Sequence, residues 1–539
     1  MRVNALPSAP LRPPRVLVVG AGIGGLAAAA LLARGGIEVQ VLERASAPGG
    51  KMRQIELGPQ CLDGGPTVLT MRWVFDALFE CLGLNLDHHL SLRRCSVLAR
   101  HAWGPDQRLD LSADLETSVA AITEFSGAAE AQRYRAFCER ARAVFQTLDR
   151  PFMQSSRPTP GSLAWRVLRQ QGPSGLRQLL RISPFTSLWT ALRRYFHDPR
   201  LRQLFGRYAT YCGSSPFEAP ATLMLVAHVE REAVWQIEGG MYRLAQALAA
   251  AGRQQGASYR YGCEVRQLLM RAEGGVGGVE LQDGERLAAD AVLFNGDAQA
   301  LASGLLGHPV QQALGLPAIP PPTSLSALTW HCQAEASGFE LSHHNVFFGP
   351  AEHYRAEFDA VAQGRLPETP TVYVCAQDRA GDASGRSPQR AERLMCLVNA
   401  PAMGAANARA LTEPEIAQCQ QVMWDQLGRA GLRLSPGPHA PLCTRPQDFA
   451  QLFPATGGAL YGPASQGWRA SFFARPDGRT KVPGLFLAGG SVHPGPGVPM
   501  AALSGQRAAE QICAALHSTR RWARATGGTQ LTPGGISTR

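Results

Sequence analysis

The sequence predicts an α/β fold in which a Rossmann-type nucleotide-binding domain is interleaved with a mixed-sheet domain and a helical region. Three observations predict it. At residues 15–34 a β-branched run, a glycine-rich turn and an alanine-rich stretch follow one another. A second short apolar run ending in glycines lies far along the chain, at 484–490. Between them sit an arginine-rich stretch of helical pattern and then several runs of strand character. The 539 residues allow three or four domains at ~150 each, and no internal repeat divides them.

The first element is Arg15-Val16-Leu17-Val18-Val19, suited to a buried parallel strand. It runs into Gly20-Ala21-Gly22-Ile23-Gly24-Gly25 and a helix closed by Gly35-Gly36. Residues 38–42 make a second strand that ends on Glu43. This is G-x-G-x-x-G in strand–turn–helix context, with an acid 23 residues after the first glycine. Gly20 supplies the tight turn, Gly22 lets a pyrophosphate approach the backbone, and Gly25 lets helix and strand pack. The helix N-terminus offers N–H groups to phosphate, and Glu43 accepts from ribose hydroxyls. The same run could be mistaken for a membrane span, since residues 16–33 carry no charge. The glycines put a turn in its middle, which a span would not have.

Composition narrows the class further. Hydrophobic residues make up 45% and charged residues 18%, against an average near ~25% charged. Such a chain can bury a large core. Only Lys51 and Lys481 are lysines, and the net charge of +11 is concentrated: residues 131–207 hold 15 arginines against three acids. A single basic segment is a local surface. No nucleic-acid-binding module accompanies it, so no nucleic-acid partner is expected. The twelve cysteines contain no C-x-x-C, which removes the spacing of zinc ribbons and redox motifs. No metal centre is expected.

Residues 73–230 read as mostly helical. Within them, 163–180 and 185–196 interleave Trp165, Leu168, Leu176, Phe185, Leu188, Trp189 and Phe196 with arginines. Aromatics and leucines beside arginines describe a helix lying at a membrane interface, and solvated faces of ordinary helices are the plain alternative. Residues 316–322 form a proline-rich connector. Strand-like runs follow at 324–332, 345–348, 371–375 and 394–399, suited to a sheet lining an apolar cavity. His343-His344 reads as a hairpin tip for want of a third ligand nearby. The glycines at 274, 275, 277 and 278 form no second nucleotide motif and read as a hairpin. Near the far end, Pro499 suits a first helical turn, and His493 lies in a Pro/Gly turn. Residues 1–13 and 518–539 read as loose tails.

Glu43-Arg44, Pro48-Gly49-Gly50-Lys51-Met52-Arg53, Asp63-Gly64-Gly65-Pro66-Thr67 and residues 484–504 together carry a resemblance. The chain resembles the flavoproteins that include amine oxidases and, over residues 14–515, the bacterial carotenoid (phytoene) desaturases. Thr70–Phe75, Arg207–Gly213 and Gly489–Ser504 look most like the 1-hydroxycarotenoid 3,4-desaturase branch, in purple photosynthetic bacteria. The resemblance implies FAD, with Arg44 beside Glu43, Gly50 and Lys51 along the diphosphate, Pro66 and Thr67 near the isoalloxazine, and Val265 against adenine. It places Gly490, Val498 and Met500 at the flavin. Lys51 stands where arginine is commoner, and Gly489-Gly490-Ser491 lacks the acid that many relatives carry there.

The implied domains are 14–72, 231–304 and 471–517 for FAD, 73–230 as a helical membrane-facing lid, and 305–470 as the substrate-binding sheet. The implied reaction removes a hydride and a proton from C4 and C3 of an acyclic hydroxycarotenoid. Glu139 and Arg142, at i and i+3 on one helix, match an acid–arginine pair of related desaturases. With one dinucleotide motif, the electrons would leave to a diffusing acceptor, quinone or oxygen. The implied location is cytoplasmic, peripheral on the inner or intracytoplasmic membrane. Phytoene desaturation, amine oxidation and a flavin-less isoprenoid-binding protein of the Rab GDP-dissociation inhibitor type are the competing readings.

Overall fold

The computed structural model describes residues 13–315, 323–381, 391–404 and 409–518. The connector at 316–322 and, but for residues 13 and 518, both expected tails lie outside them. The nucleotide-type sheet has five strands, all parallel, in the order Leu485–Leu487, Ala291–Phe294, Arg15–Val19, Glu38–Leu42 and Ser258–Arg260. Its strands therefore come from three distant parts of the chain. Alternation assigns the faces. Val16, Val18, Val39 and Val41 pack into the core built with the helix Ile23–Arg34, while Leu17, Val19, Leu42 and Val292 face the opposite way. An antiparallel meander, Val265–Met270, Val276–Leu281 and Arg286–Ala288, covers that second face.

The helix Ile23–Arg34 is buried on nearly all sides. It packs against Tyr242–Gln254 on one flank and Val498–Ser518 on the other. Ala27 to Ala30 are fully buried, and short side chains allow that close approach. At the crossing with Val498–Ser518, a Cβ on Gly505 would fall 2.0 Å from the carbonyl oxygen of Gly24. Only a glycine fits there.

The second sheet is eight-stranded and mixed. Ser326–Gly338 pairs with Leu432–Pro436, Leu442–Thr444 and Glu392–Ala400, and the sheet continues through Val372–Ala376 and His344–Phe347. It ends on Val97–Gly104 and Gln107–Ser112, the first of these parallel to its neighbour. Residues 73–230 are mostly helical, but their bounds as a helical region are corrected, because Val97–Gly104 and Gln107–Ser112 belong to this sheet. Val97–Gly104 is buried on both faces over most of its length, so no period-2 pattern marks it as a strand. A second correction concerns residues 163–180. The helix Pro160–Arg181 starts at a Thr159/Ser162 capping box but is broken at Gly172, whose φ is 68°, next to Pro173.

One ion pair inside the second sheet is fully buried. Arg379 donates from Nε and Nη2 to the two oxygens of Glu392 at 2.8 and 2.7 Å, and from Nη1 to the Leu341 carbonyl at 2.9 Å. It joins the end of Val372–Ala376 to the start of Glu392–Ala400. Glu392→Ala leaves a buried guanidinium without its carboxylate and is expected to lower stability by about 3–5 kcal/mol. The double substitution R379M/E392L, which removes both charges and keeps the volume apolar, should recover most of that loss in chemical denaturation.

Candidate functional site

The glycine turn and its neighbours meet at the carboxyl end of the parallel sheet. Gly20 has φ 101°, open only to glycine without strain, and its N–H donates to the Leu42 carbonyl at 2.8 Å. A Cβ on Gly25 would lie 2.3 Å from the Gly20 carbonyl oxygen. Gly22 precedes the first turn of Ile23–Arg34 and provides no side-chain cap, so the first N–H groups of that helix remain available to an anion. Glu43, buried at the strand end, accepts from Ala21 N at 2.6 Å and Ala45 N at 2.9 Å. Its carboxylate therefore sits over the glycine turn.

Gly49 and Gly50 dock directly onto this turn. Gly49 N donates to the Ala21 carbonyl at 2.8 Å, and a Cβ on Gly50 would lie 3.3 Å from Gly22 Cα. A Cβ on Gly65 would be 1.9 Å from the Lys51 carbonyl oxygen, so the turn carrying Pro66 and Thr67 packs on the one before it. Lys51 has protein partners of its own. Its Nζ donates to the Leu460 carbonyl at 2.6 Å and lies 5.6 Å from the Phe453 ring. Burial pushes its pKa down, with Asp297 acting the other way. Arg44 is substantially exposed, 3.7 Å from Glu264. Cys263 N donates to the Glu43 carbonyl at 2.8 Å, which brings the strand opened by Val265 beside the acid.

The sequence reading missed Asn295, one residue past the strand Ala291–Phe294. Its Nδ2 donates to the Ala488 carbonyl at 3.0 Å and its backbone N to the Val19 carbonyl at 2.8 Å. Its side chain fills the space that Cβ atoms on Gly22, Gly24, Gly25 and Gly489 would need, at 2.7–2.9 Å. Its Oδ1 is buried with no hydrogen-bond partner. A polar residue after a buried apolar run is the local signal there, and nothing in the sequence marks its contacts.

At the far end, Gly490 comes no nearer than 3.7 Å to its surroundings through a built Cβ, so space does not demand glycine there. Val498 opens the last helix, and Met500 packs against both the nucleotide-domain core and the helical core. His493 is buried, with Nε2 2.9 Å from the carbonyls of Phe152 and Ser155. Burial pushes its pKa down to about 4, and it serves to hold the 149–155 turn.

One placement is reported and one expectation is corrected. Glu139 and Arg142 lie on the exposed face of the helix Ala128–Leu148, whose opposite face buries Tyr134, Phe137, Cys138 and Ala141. The i, i+3 spacing puts them on one face, but that face points to solvent. His343-His344 is not a hairpin tip. Both are buried, and with Cys375 they form a cluster whose ligand atoms lie within 4.8 Å of one another. Each already has a protein partner: His343 Nδ1 the carbonyls of Ala376 and Arg379, Cys375 the other nitrogen of His343, and His344 Nδ1 the Tyr373 hydroxyl at 2.7 Å. The Tyr373 hydroxyl is also 2.7 Å from Thr67 Oγ1. A hydrogen-bonded chain thus runs from the Pro66-Thr67 turn into the second sheet. Beside it opens a cavity of about 310 Å³ lined by Asp63, Thr67, Gln236, His343 and Cys375 among others.

A glycine cradle at the end of a parallel sheet, a strand-end carboxylate and an uncapped helix N-terminus define a dinucleotide-binding protein. Residues 23–513 match the flavin containing amine oxidoreductases, and the chain belongs to that family. It is 51% identical over 532 residues to a hydroxyneurosporene desaturase of Rubrivivax gelatinosus, covering 98% of each chain. It is 47% identical to a hydroxyneurosporene desaturase of Cereibacter sphaeroides, over 94% of this chain and 99% of that one. Among solved structures, cyclohexylamine oxidase from Brevibacterium oxydans shares the fold at 16% identity, with a TM-score of 0.55 over 94% of this chain and all of that one. FAD is accordingly the dinucleotide, and the cradle, the orphaned Asn295 Oδ1 and Glu43 fit it. Gly25→Ala must displace the Gly20 carbonyl, so the purified variant is expected to lose its flavin absorbance after gel filtration while the wild type keeps it.

Proposed function

We propose that this protein is an FAD-dependent carotenoid desaturase that introduces the C3–C4 double bond into acyclic 1-hydroxycarotenoids of the 1-hydroxyneurosporene type, in spheroidene- or spirilloxanthin-type biosynthesis. The observation that carries the reading is the identity to hydroxyneurosporene desaturases across nearly the whole chain. Bound FAD supplies a hydride acceptor. C4 is allylic to the polyene, so positive charge left there spreads along the conjugated chain, and only a weak base is needed for the C3 proton. Gly20, Gly22, Gly25, Asn295 and Glu43 would hold the dinucleotide, with Gly50 packed on the glycine turn. The N-terminus of Val498–Ser518 favours negative charge on whatever lies before it. Holding the polyene in one orientation in the substrate site would supply much of the rate. Quinone or oxygen takes the electrons.

The purified, FAD-loaded protein should lengthen the chromophore of 1-hydroxyneurosporene by one double bond with a quinone present, followed by absorption spectrum and chromatography. Coloured products from phytoene, with no change to the hydroxylated substrate, would make it an early-pathway desaturase instead.

No helix among the described residues is long and apolar enough to cross a membrane. The substrate is nevertheless a bilayer solute, and the face formed by the helix Pro160–Arg181 and the loop after it suits a lipid surface. Trp165, Leu168 and Phe185 are 57%, 42% and 78% exposed, and the Arg169 guanidinium lies 5.3 Å from the Trp165 ring. Apolar groups bracketed by arginine match the interfacial pattern. Arg166 is partly engaged by Ser156, and the side chains of Arg177 and Arg181 lie outside the described residues. Trp165→Glu combined with Phe185→Glu should abolish co-sedimentation with anionic liposomes; unchanged binding would place the membrane contact elsewhere.

A further inference from the structure

We propose that a small polar cavity under the helix Tyr354–Ala362 seats the tertiary 1-hydroxyl of the substrate, with Tyr354 and Glu357 as its hydrogen-bond partners. The inference rests on the hydroxycarotenoid reading above and names what recognises the hydroxyl.

The cavity holds about 30 Å³ and is bounded by the polar residues Arg207, Thr210, Tyr354, Glu357, Thr371, Tyr373 and Asn399, with Phe358 and Leu397 as apolar wall. That is room for one oxygen-sized group, which needs roughly 10–15 Å³. Two atoms there are buried without a partner, the Tyr354 hydroxyl and Glu357 Oε1. The other carboxylate oxygen of Glu357 is occupied, accepting from Thr371 Oγ1 at 2.7 Å. Buried polar groups are almost always paired, so an unpaired donor and an unpaired acceptor beside one small void call for a guest that is both. An alcohol is such a group: it accepts from the phenol and donates to the carboxylate. Burial keeps the phenol protonated, its pKa well above the ordinary tyrosine value. Burial also raises Glu357, to about 7, with Thr371 and then the nearby Asn399 amide acting the other way.

Position agrees with the chemistry. The hydroxyl carbon is two bonds from C3, so its seat must adjoin the flavin-facing side of the substrate site. Tyr373 lines the cavity, and its hydroxyl bonds Thr67 on the turn that the flavin motifs contribute.

The test compares 1-hydroxyneurosporene with neurosporene, which lacks the hydroxyl, on wild type, Tyr354→Phe and Glu357→Gln. Each carotenoid's binding to the FAD-loaded protein is read by its visible spectrum, and each turnover by chromatography. Tyr354→Phe deletes an atom that has no protein partner, so the variant is expected to fold and keep its flavin. The kcat/KM ratio of hydroxylated to unhydroxylated substrate should fall about tenfold or more in each variant, because a site built around a hydroxyl rejects the analogue lacking it. Unchanged ratios in folded, flavin-loaded variants would reduce the cavity to a water site and overturn the proposal. A wild type that desaturates phytoene and neither of these two would instead overturn the hydroxycarotenoid reading on which it rests.

Discussion

The nucleotide half of the molecule depends on one steric constraint, the crowding around the Asn295 side chain. The amide touches the space above Gly22, Gly24, Gly25 and Gly489 while its Nδ2 holds the Ala488 carbonyl. Two strand ends and the start of the first helix are thereby drawn within van der Waals reach of one side chain. Any side chain on those glycines would push the strands apart before it touched a ligand. The glycines are thus required twice, once by the backbone approach of a pyrophosphate and once by their protein neighbour.

The two sheets are joined through polar contacts as well as apolar packing. Gln377 exchanges hydrogen bonds with the backbone of Asp63 at 2.9 and 3.0 Å, and Asp63 in turn receives Met241 N and Tyr242 N at the start of Tyr242–Gln254. Thr67, Tyr373 and His344 add a second connection. The turn between the cofactor and substrate halves is consequently fixed from both sides. A turn held from both sides is the kind of support that a fixed orientation of two reactants requires.

Much of the first sheet was legible because its signals are local. Gly20, Gly22, Gly25 and Glu43 stand at spacings that backbone sterics impose, and they lie on consecutive elements. The pairing of Gly49 with Gly22 was legible only through resemblance. The eight-stranded sheet was half visible. Val97–Gly104 hides its register because both faces are buried. Glu139 and Arg142 show the limit of spacing arguments: i, i+3 fixes a shared face, and only packing of Tyr134, Phe137 and Ala141 decides which way it points. His343 and His344 find Cys375 only across paired strands. Tyr354, Glu357 and Tyr373 share a cavity for the same reason, and no local pattern announces it.

The contact between Gly24 and Gly505 also bears on the order in which the protein is made. A ribosome delivers the glycine turn first and the helix that covers it last, with the strand Leu485–Leu487 emerging only shortly before. At about 5–20 residues per second of synthesis, the early βα unit waits tens of seconds for its covering helix and neighbouring strand. During that interval the apolar flank of Ile23–Arg34 has no permanent cover. The cover of that flank is thus completed only once the helix Val498–Ser518 has been made.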